Sequence, residues 1–257
     1  MNETFDILVI GGGINGAGIV RDASGRNLKV CLVEKNKVGS ATSSWSTKLI
    51  HGGLRYLENY EFRLVRESLK EREVIKKIAS NITTPLPFII PYQKSLRPKW
   101  LIKLGLFLYD NIGGKMTIPK SSTINIKKEM PNILKDQFKI GFQYYDLQVD
   151  DKKLVQLNVE DAKKKGATII QNRKVIDAKR NKNIWDITLD DNTLLKSKIL
   201  INAAGPWINE VLNNVIKLNS NKSIRLVKGS HIITKSLYSQ KEAFTLQNED
   251  NRIIFVI

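Results

Sequence analysis

Apolar residues along this chain gather into short runs broken by glycine, asparagine and charge, and the spacing within each run predicts its element. Phe5 to Ile10, in "FDILVI", and Leu28 to Glu34, in "LKVCLVE", are nearly continuous apolar stretches of the kind that fill a strand buried on both faces. Between them, Gly11 to Gly13 predict a tight turn and Asn15 to about Gly25 a helix. Phe62, Val65, Leu69, Ile75 and Ile78 predict a helix from about Glu61 to Ala79, with Arg63–Glu67 and Glu73–Lys77 paired on its solvated face. "TTPLPFIIPYQ", with Pro85, Pro87 and Pro91, cannot be helical and predicts an extended edge strand or a crossing between lobes.

Trp100, Leu101, Leu104, Phe107 and Leu108 mark a short helix interleaved with Arg97, Lys99 and Lys103. Such a segment suits a partly buried helix of a second lobe, and it also suits a bilayer interface. A helix capped by Asp150 or Asp151 and ended by Gly166 leads into a strand from Ala167 to Gln171. "KVIDAKR" and "IWDITLDDNTLLKS" predict a β-meander ahead of a buried strand from Ile199 to Asn202. "AFTLQNEDNRIIFVI" reads as a hairpin whose second strand stops at Ile257 without a turn, the pattern of a fold truncated at its C-terminus.

Composition narrows the class. A chain of 257 residues with 42% hydrophobic content can bury one substantial core or two interleaved ones. The formal charge of +17 is mostly scattered lysine among asparagine and isoleucine, a bias rather than a patch, so no nucleic-acid partner is expected. The single cysteine, Cys31, lies in a strand run and fits a reducing cytoplasm. No apolar stretch is long enough to span a bilayer and no leader is expected, so membrane contact would be peripheral. No metal-ligand cluster is expected either.

The opening strand, turn, helix and strand carry the first chemistry. Gly11 allows the sharp turn, Gly13 the approach of backbone to a pyrophosphate, and Gly16 close helix–strand packing, while the helix start offers N–H groups to an anion. Glu34 closes the second strand, where a carboxylate can accept the hydroxyls of an adenosine ribose. Val20 stands where glycine or alanine is usual, which should widen the helix–sheet spacing slightly. The small residues of "GSATSSWSTK", and Ala203, Ala204 and Gly205 at a strand end, favour a bulky flavin dinucleotide over a nicotinamide one.

"IGGGINGAGIVRDASGR", "ATSSWSTKLIHGGLRYLENYEFRLVRESLKERE", "INAAGPW", "RLVKGSHII" and "LQNEDNRIIFVI" together resemble the FAD-dependent, respiratory glycerol-3-phosphate dehydrogenases of the D-amino-acid-oxidase-like flavoprotein group, over about the N-terminal half of a member. The resemblance implies an α/β fold: a Rossmann-like FAD-binding domain over residues 1–80 and 145–212, with an interleaved, partly antiparallel β substrate domain over 81–144 and 213–257, incomplete at the C-terminus. It implies oxidation of glycerol 3-phosphate to dihydroxyacetone phosphate, electrons leaving FAD for a quinone, and peripheral contact with membrane lipid on the inner face of the cell membrane, with a homodimer left open. Arg55 then binds substrate, Tyr56 positions it and His231 handles the proton.

FAD contacts are implied at Gly11, Gly13, Ile14, Asn15, Gly16, Glu34 and Lys35, and at Val175, Ala203, Ala204 and Gly205. The loop between adds Ala41, Thr42, Ser43, Ser44, Lys48, Leu49, His51, Gly52 and Gly53, the glycine pair making room for the ring system. Three other readings stay open: an FAD-dependent amine or amino-acid oxidase, a nicotinamide-linked enzyme, and a non-enzymatic basic protein binding lipid or nucleic acid.

Overall fold

The structure is a computed structural model that describes residues 4–95, 97–218, 224–227, 229–248, 250 and 252–257. The chain opens with β1 (Thr4–Ile10), α1 (Ile14–Gly25) and β2 (Val30–Glu34), then a two-residue β3 (Leu49–Ile50). Next come α2 (Phe62–Ile78), β4 (Thr83–Pro91), α3 (Lys99–Asn111), β5 (Ser122–Asn125) and α4 (Ile126–Glu129). β6 (Ile140–Val149), α5 (Asp151–Lys164) and β7 (Thr168–Gln171) precede β8 (Val175–Asn181), β9 (Ile184–Leu189) and β10 (Leu194–Asn202). The hairpin β11 (Ala243–Gln247) and β12 (Ile253–Val256) comes last. These elements form two compact units, Met1–Lys48 with Asp150–His231, and Leu49–Val149 with Ile232–Ile257.

The first unit is a six-stranded sheet in the order β7-β2-β1-β10-β9-β8. β7, β2, β1 and β10 run parallel, and β8 to β10 form an antiparallel meander. Side chains alternate across the sheet, which explains the continuous apolar runs: Val9 and Leu32 pack under α1 and α5 with Ala17, Val20 and Val159, while Leu8 and Cys31 join Ile187 and Leu189 on the other face. Val20 is fully buried in the helix–sheet core. β10 is longer than the expected Ile199–Asn202 strand, because its first residues pair with β9 while it also runs beside β1 from Lys196 onward. Asp150 caps α5 by accepting from the Lys153 N–H at 2.9 Å.

The second unit holds a sheet in the order β12-β11-β4-β6-β3, with β5 beside β6. α2 and α3 cover one face, where Val65, Leu69, Leu106 and Tyr109 meet Phe88, Phe142 and Tyr144. Unlike the expected edge strand, β4 is internal: it pairs antiparallel with β6 from Thr83↔Val149 to Pro91↔Gly141 and parallel with β11 at Phe88 and Ile89. Its prolines sit an even number of residues apart, so their missing N–H groups fall along one edge of the strand, which β11 borders only over those two residues.

Domain boundaries differ from the expected ones for packing reasons. The first break falls after Lys48 rather than residue 80, because α2 buries Val65 and Leu69 in the second unit's core. The next falls after Val149, where β6 ends. Residues 213–218 stay with the first unit because Val215 belongs to the same core cluster as Phe5 and Leu8.

Within the second unit, Arg72 of α2 donates through Nη1 to Asp146 Oδ1 at 2.8 Å and to the Tyr145 carbonyl at 2.9 Å. Tyr109 of α3 donates to the same carboxylate oxygen at 2.6 Å. Burial pushes the Asp146 carboxyl up, opposed by the Arg72 charge and the Tyr109 hydroxyl.

Burial likewise pushes the Cys31 thiol up to about 12. Iodoacetamide at pH 8 is therefore expected to leave Cys31 unmodified in the native chain and to alkylate it once denaturant opens the sheet. Mass spectrometry showing native-state labelling at the rate of a free thiol would contradict the packing of β2 described above.

Candidate functional site

Parallel strands β1, β2 and β10 end together, and the first unit opens there into a cleft. Its floor is the turn Gly11–Gly13, and backbone crowding dictates the glycines. Gly11 has φ of +109°, and a Cβ on it would stand 2.5 Å from the Ala203 carbonyl oxygen, since β10 ends against β1 with Ala203 N donating to Ile10 O at 2.8 Å. A Cβ on Gly16 would collide with the Gly11 carbonyl. The turn is therefore bare backbone leading straight into α1, whose N-cap, Gly13, brings no side chain to cap the helix.

Glu34 closes β2 and ties the turn in place. Its carboxylate accepts from Gly12 N at 2.6 Å and from Asn36 N at 2.9 Å. Ser43 Oγ accepts from Ile14 N at 3.0 Å, at the start of α1. Lys48 donates to Asp151 at 2.7 Å, and the Ser46 hydroxyl donates to the same residue at 2.8 Å, fastening the loop to the head of α5. Burial alone would raise the Asp151 carboxyl, but the bonds from Lys48 and Ser46 leave it below its ordinary 3.8. The clamp is thus intact at neutral pH and is lost only as pH falls through that lowered value.

Of the residues expected at a cofactor, Gly11, Gly13, Ile14, Asn15, Glu34, Lys35, Ala41, Thr42, Ser43, Val175, Ala203, Ala204 and Gly205 line this cleft. Gly16 lies beneath the turn. Ser44 turns its hydroxyl to the Ala41 carbonyl at 2.9 Å, and Lys48 is held by Asp151. Leu49, His51, Gly52 and Gly53 belong to the second unit. There the room at Gly52 is taken by protein: a Cβ would collide with the Leu69 side chain and stand 2.8 Å from Tyr109 Oη. Packing in this core, rather than space for a ring system, is what requires that glycine.

Arg55 and Tyr56 ride on a 3-10 helical turn, Leu54–Asn59, in the second unit. Arg55 lines a smaller cleft with Glu58, Arg97 and Arg252, where Arg97 donates to Glu58 at 2.7 Å. His231 is exposed on irregular backbone and is not among the residues lining either cleft.

Sequence reasoning gave no individual role to several residues lining the larger cleft. Gly39 donates to the Gly12 carbonyl at 2.9 Å and needs its φ of +69°; Trp207 carries the Lys35 ammonium 4.2 Å above its ring. Arg173 and Lys174 reach the rim from the turn before β8. Trp207 was within reach, since it directly follows the small-residue strand end, whereas nothing local marks Arg173 or Lys174.

The turn is testable by paired substitutions. Gly16→Ala should destabilise by about 1–3 kcal/mol in urea unfolding through overpacking. Gly18→Ala, on the same helix with no atom within 4 Å of the added carbon, should instead stabilise by up to about 1 kcal/mol. Equal effects at the two positions would contradict the crowding described.

Comparison with known proteins adds identity to this geometry. The chain is 47% identical to D-erythritol 1-phosphate dehydrogenase of Brucella abortus, covering 99% of this chain and 52% of that one. It is 45% identical to the aerobic glycerol-3-phosphate dehydrogenase of Escherichia coli, again over 99% of this chain and 52% of the relative. The chain thus spans about half the length of the curated relatives it matches. Among solved structures, glycerol-3-phosphate dehydrogenase from Bacillus halodurans complexed with FAD is similar at a TM-score of 0.59 and 28% identity, covering 82% of this chain and 36% of that one. The sequence profile described as FAD dependent oxidoreductase matches residues 6–257, and with a Rossmann-like unit whose glycine turn faces an open cleft, the chain belongs to that family.

Proposed function

We propose that the first unit's cleft holds FAD and that the chain serves oxidation of a polyol monophosphate, glycerol 3-phosphate, to dihydroxyacetone phosphate, with a quinone as final acceptor. The observation that carries this reading is the bare turn Gly11–Gly13 against Ala203, beside a carboxylate and at a helix start, in a chain similar along its length to two polyol-phosphate dehydrogenases.

Gly11, Gly13, Ile14 and Asn15 would meet the pyrophosphate, with Gly16 letting the helix close up beneath them. Glu34 would serve the ribose, with Lys35 nearby. Ala41, Thr42, Ser43, Val175 and Ala203 to Gly205 would flank the cofactor, with Ser44 and Lys48 in the loop beside it. When bound, FAD supplies the two-electron oxidant. The chain's own part is to bind the phosphate through Arg55, to orient the alcohol with Tyr56, and to accept the hydroxyl proton at the His231 imidazole.

A second substrate has equal support. The Brucella abortus relative named for D-erythritol 1-phosphate matches as well as the glycerol-3-phosphate relatives do. Both compounds present a secondary alcohol and a phosphate dianion.

The test is anaerobic bleaching of the flavin absorbance. Glycerol 3-phosphate should bleach it, with D-erythritol 1-phosphate measured beside it; bleaching by glycine instead would point to an amine-oxidising enzyme. Arg55→Ala should raise KM roughly 10- to 100-fold, the worth of one charge-assisted hydrogen bond.

Peripheral membrane contact is assigned to α3. Trp100, Leu101, Leu104 and Phe107 expose 66%, 41%, 46% and 62% of their surface beside Lys99 and Lys103, and no described helix is long and apolar enough to cross a membrane. Phe107→Glu should weaken co-sedimentation with phosphatidylglycerol vesicles several-fold. Unchanged binding would remove α3 from the proposal.

A further inference from the structure

We propose that Arg72, Asp146 and Tyr109 form a buried positioning element that sets the placement of Arg55 and Tyr56. The proposal rests on the reading above that these two residues face the substrate. The three side chains come from α2, β6 and α3 and leave only 2%, 4% and 1% of their surface exposed. Two of them meet one backbone group: Gly52 N donates to Tyr109 Oη at 2.7 Å and lies 3.4 Å from Asp146 Oδ1. Tyr109 in turn donates to Asp146, which also accepts from Arg72. The Arg72 guanidinium lies 5.5 Å from the centre of the Tyr109 ring, holding the phenol from its face.

The hold passes from Gly52 to the substrate-facing pair in two steps. Gly53 takes the left-handed conformation, φ +70°, and its carbonyl accepts from Tyr56 N at 2.8 Å. The Tyr56 ring packs so close over Gly53 that no Cβ would fit there. Tyr60, at the far end of the same helical turn, is also left-handed at φ +60°. Gly53 takes that conformation freely, but Tyr60 does not do so by local preference, and the turn it closes needs an anchor outside itself.

Stability alone does not account for charge at this depth. Apolar side chains of similar volume commonly replace a buried ion pair without loss, because desolvation offsets the Coulomb attraction. Arg72 Nε moreover has no hydrogen-bond partner among the described residues. What the charged arrangement adds is direction: a carboxylate fixed by a guanidinium can aim a phenol oxygen at a single N–H, which a leucine cannot do.

Tyr109→Phe in the flavin-loaded chain removes only the oxygen atom. Hydrogen exchange read by mass spectrometry should accelerate about tenfold over residues 50–57 and stay unchanged in β4 and β6, with flavin content retained. KM for glycerol 3-phosphate should rise about tenfold while kcat stays within about twofold. The pair Arg72→Met with Asp146→Leu should show the same KM rise with its melting temperature kept.

Exchange unchanged over 50–57, or loosened throughout the second unit, overturns the proposal. So does local loosening with KM unchanged. If neither polyol phosphate bleaches the wild-type flavin, the substrate reading fails, and the exchange pattern still decides whether the triad sets the turn.

Discussion

The first unit depends on one close approach, the carbonyl of Ala203, just past β10, against the Cα of Gly11, just past β1. Any side chain at residue 11 would part the two strands where their parallel ladder ends, at Ile10↔Asn202. The same approach leaves the turn without side chains, and Gly16 extends the requirement into α1. Cleft and sheet are therefore one construction: the packing that closes the ladder also bares the backbone that lines the cleft.

The second unit solves a different problem. Its polar groups are not displayed at a strand end but gathered inside, where Arg72, Asp146 and Tyr109 occupy space that Phe88, Phe142 and Leu69 could have shared with apolar side chains. A core of aliphatic and aromatic contacts tolerates small slides, whereas a carboxylate accepting from two side-chain donors at 2.6 and 2.8 Å does not. The unit that carries Arg55 and Tyr56 is thus the one whose interior is directionally constrained.

Legibility in the sequence followed the range of the interaction. The βαβ opening was readable because turn glycines, apolar runs and Glu34 lie within one short segment. Caps at Asp150 and Gly166 were readable for the same reason. What escaped depends on partners far along the chain. The domain break after Lys48 comes from α2 finding β4 and β6, Gly52 is glycine because of Leu69 and Tyr109, and Arg173 is held at the cleft by its N–H donating to the Glu34 carbonyl at 3.2 Å. β4 looked like an edge because prolines cost ladder bonds, and only the partial reach of β11 shows how the sheet accommodates them.

Those prolines have a further consequence. A one-residue slip of β4 along β6 would turn the prolines toward the wrong neighbour, leaving ring carbons where donors are needed. Pro85, Pro87 and Pro91 act as keys that exclude any slip by an odd number of residues, and in the observed register Leu86 stands opposite Asp146. The location of the buried carboxylate is thus written partly in residues that make no bond to it.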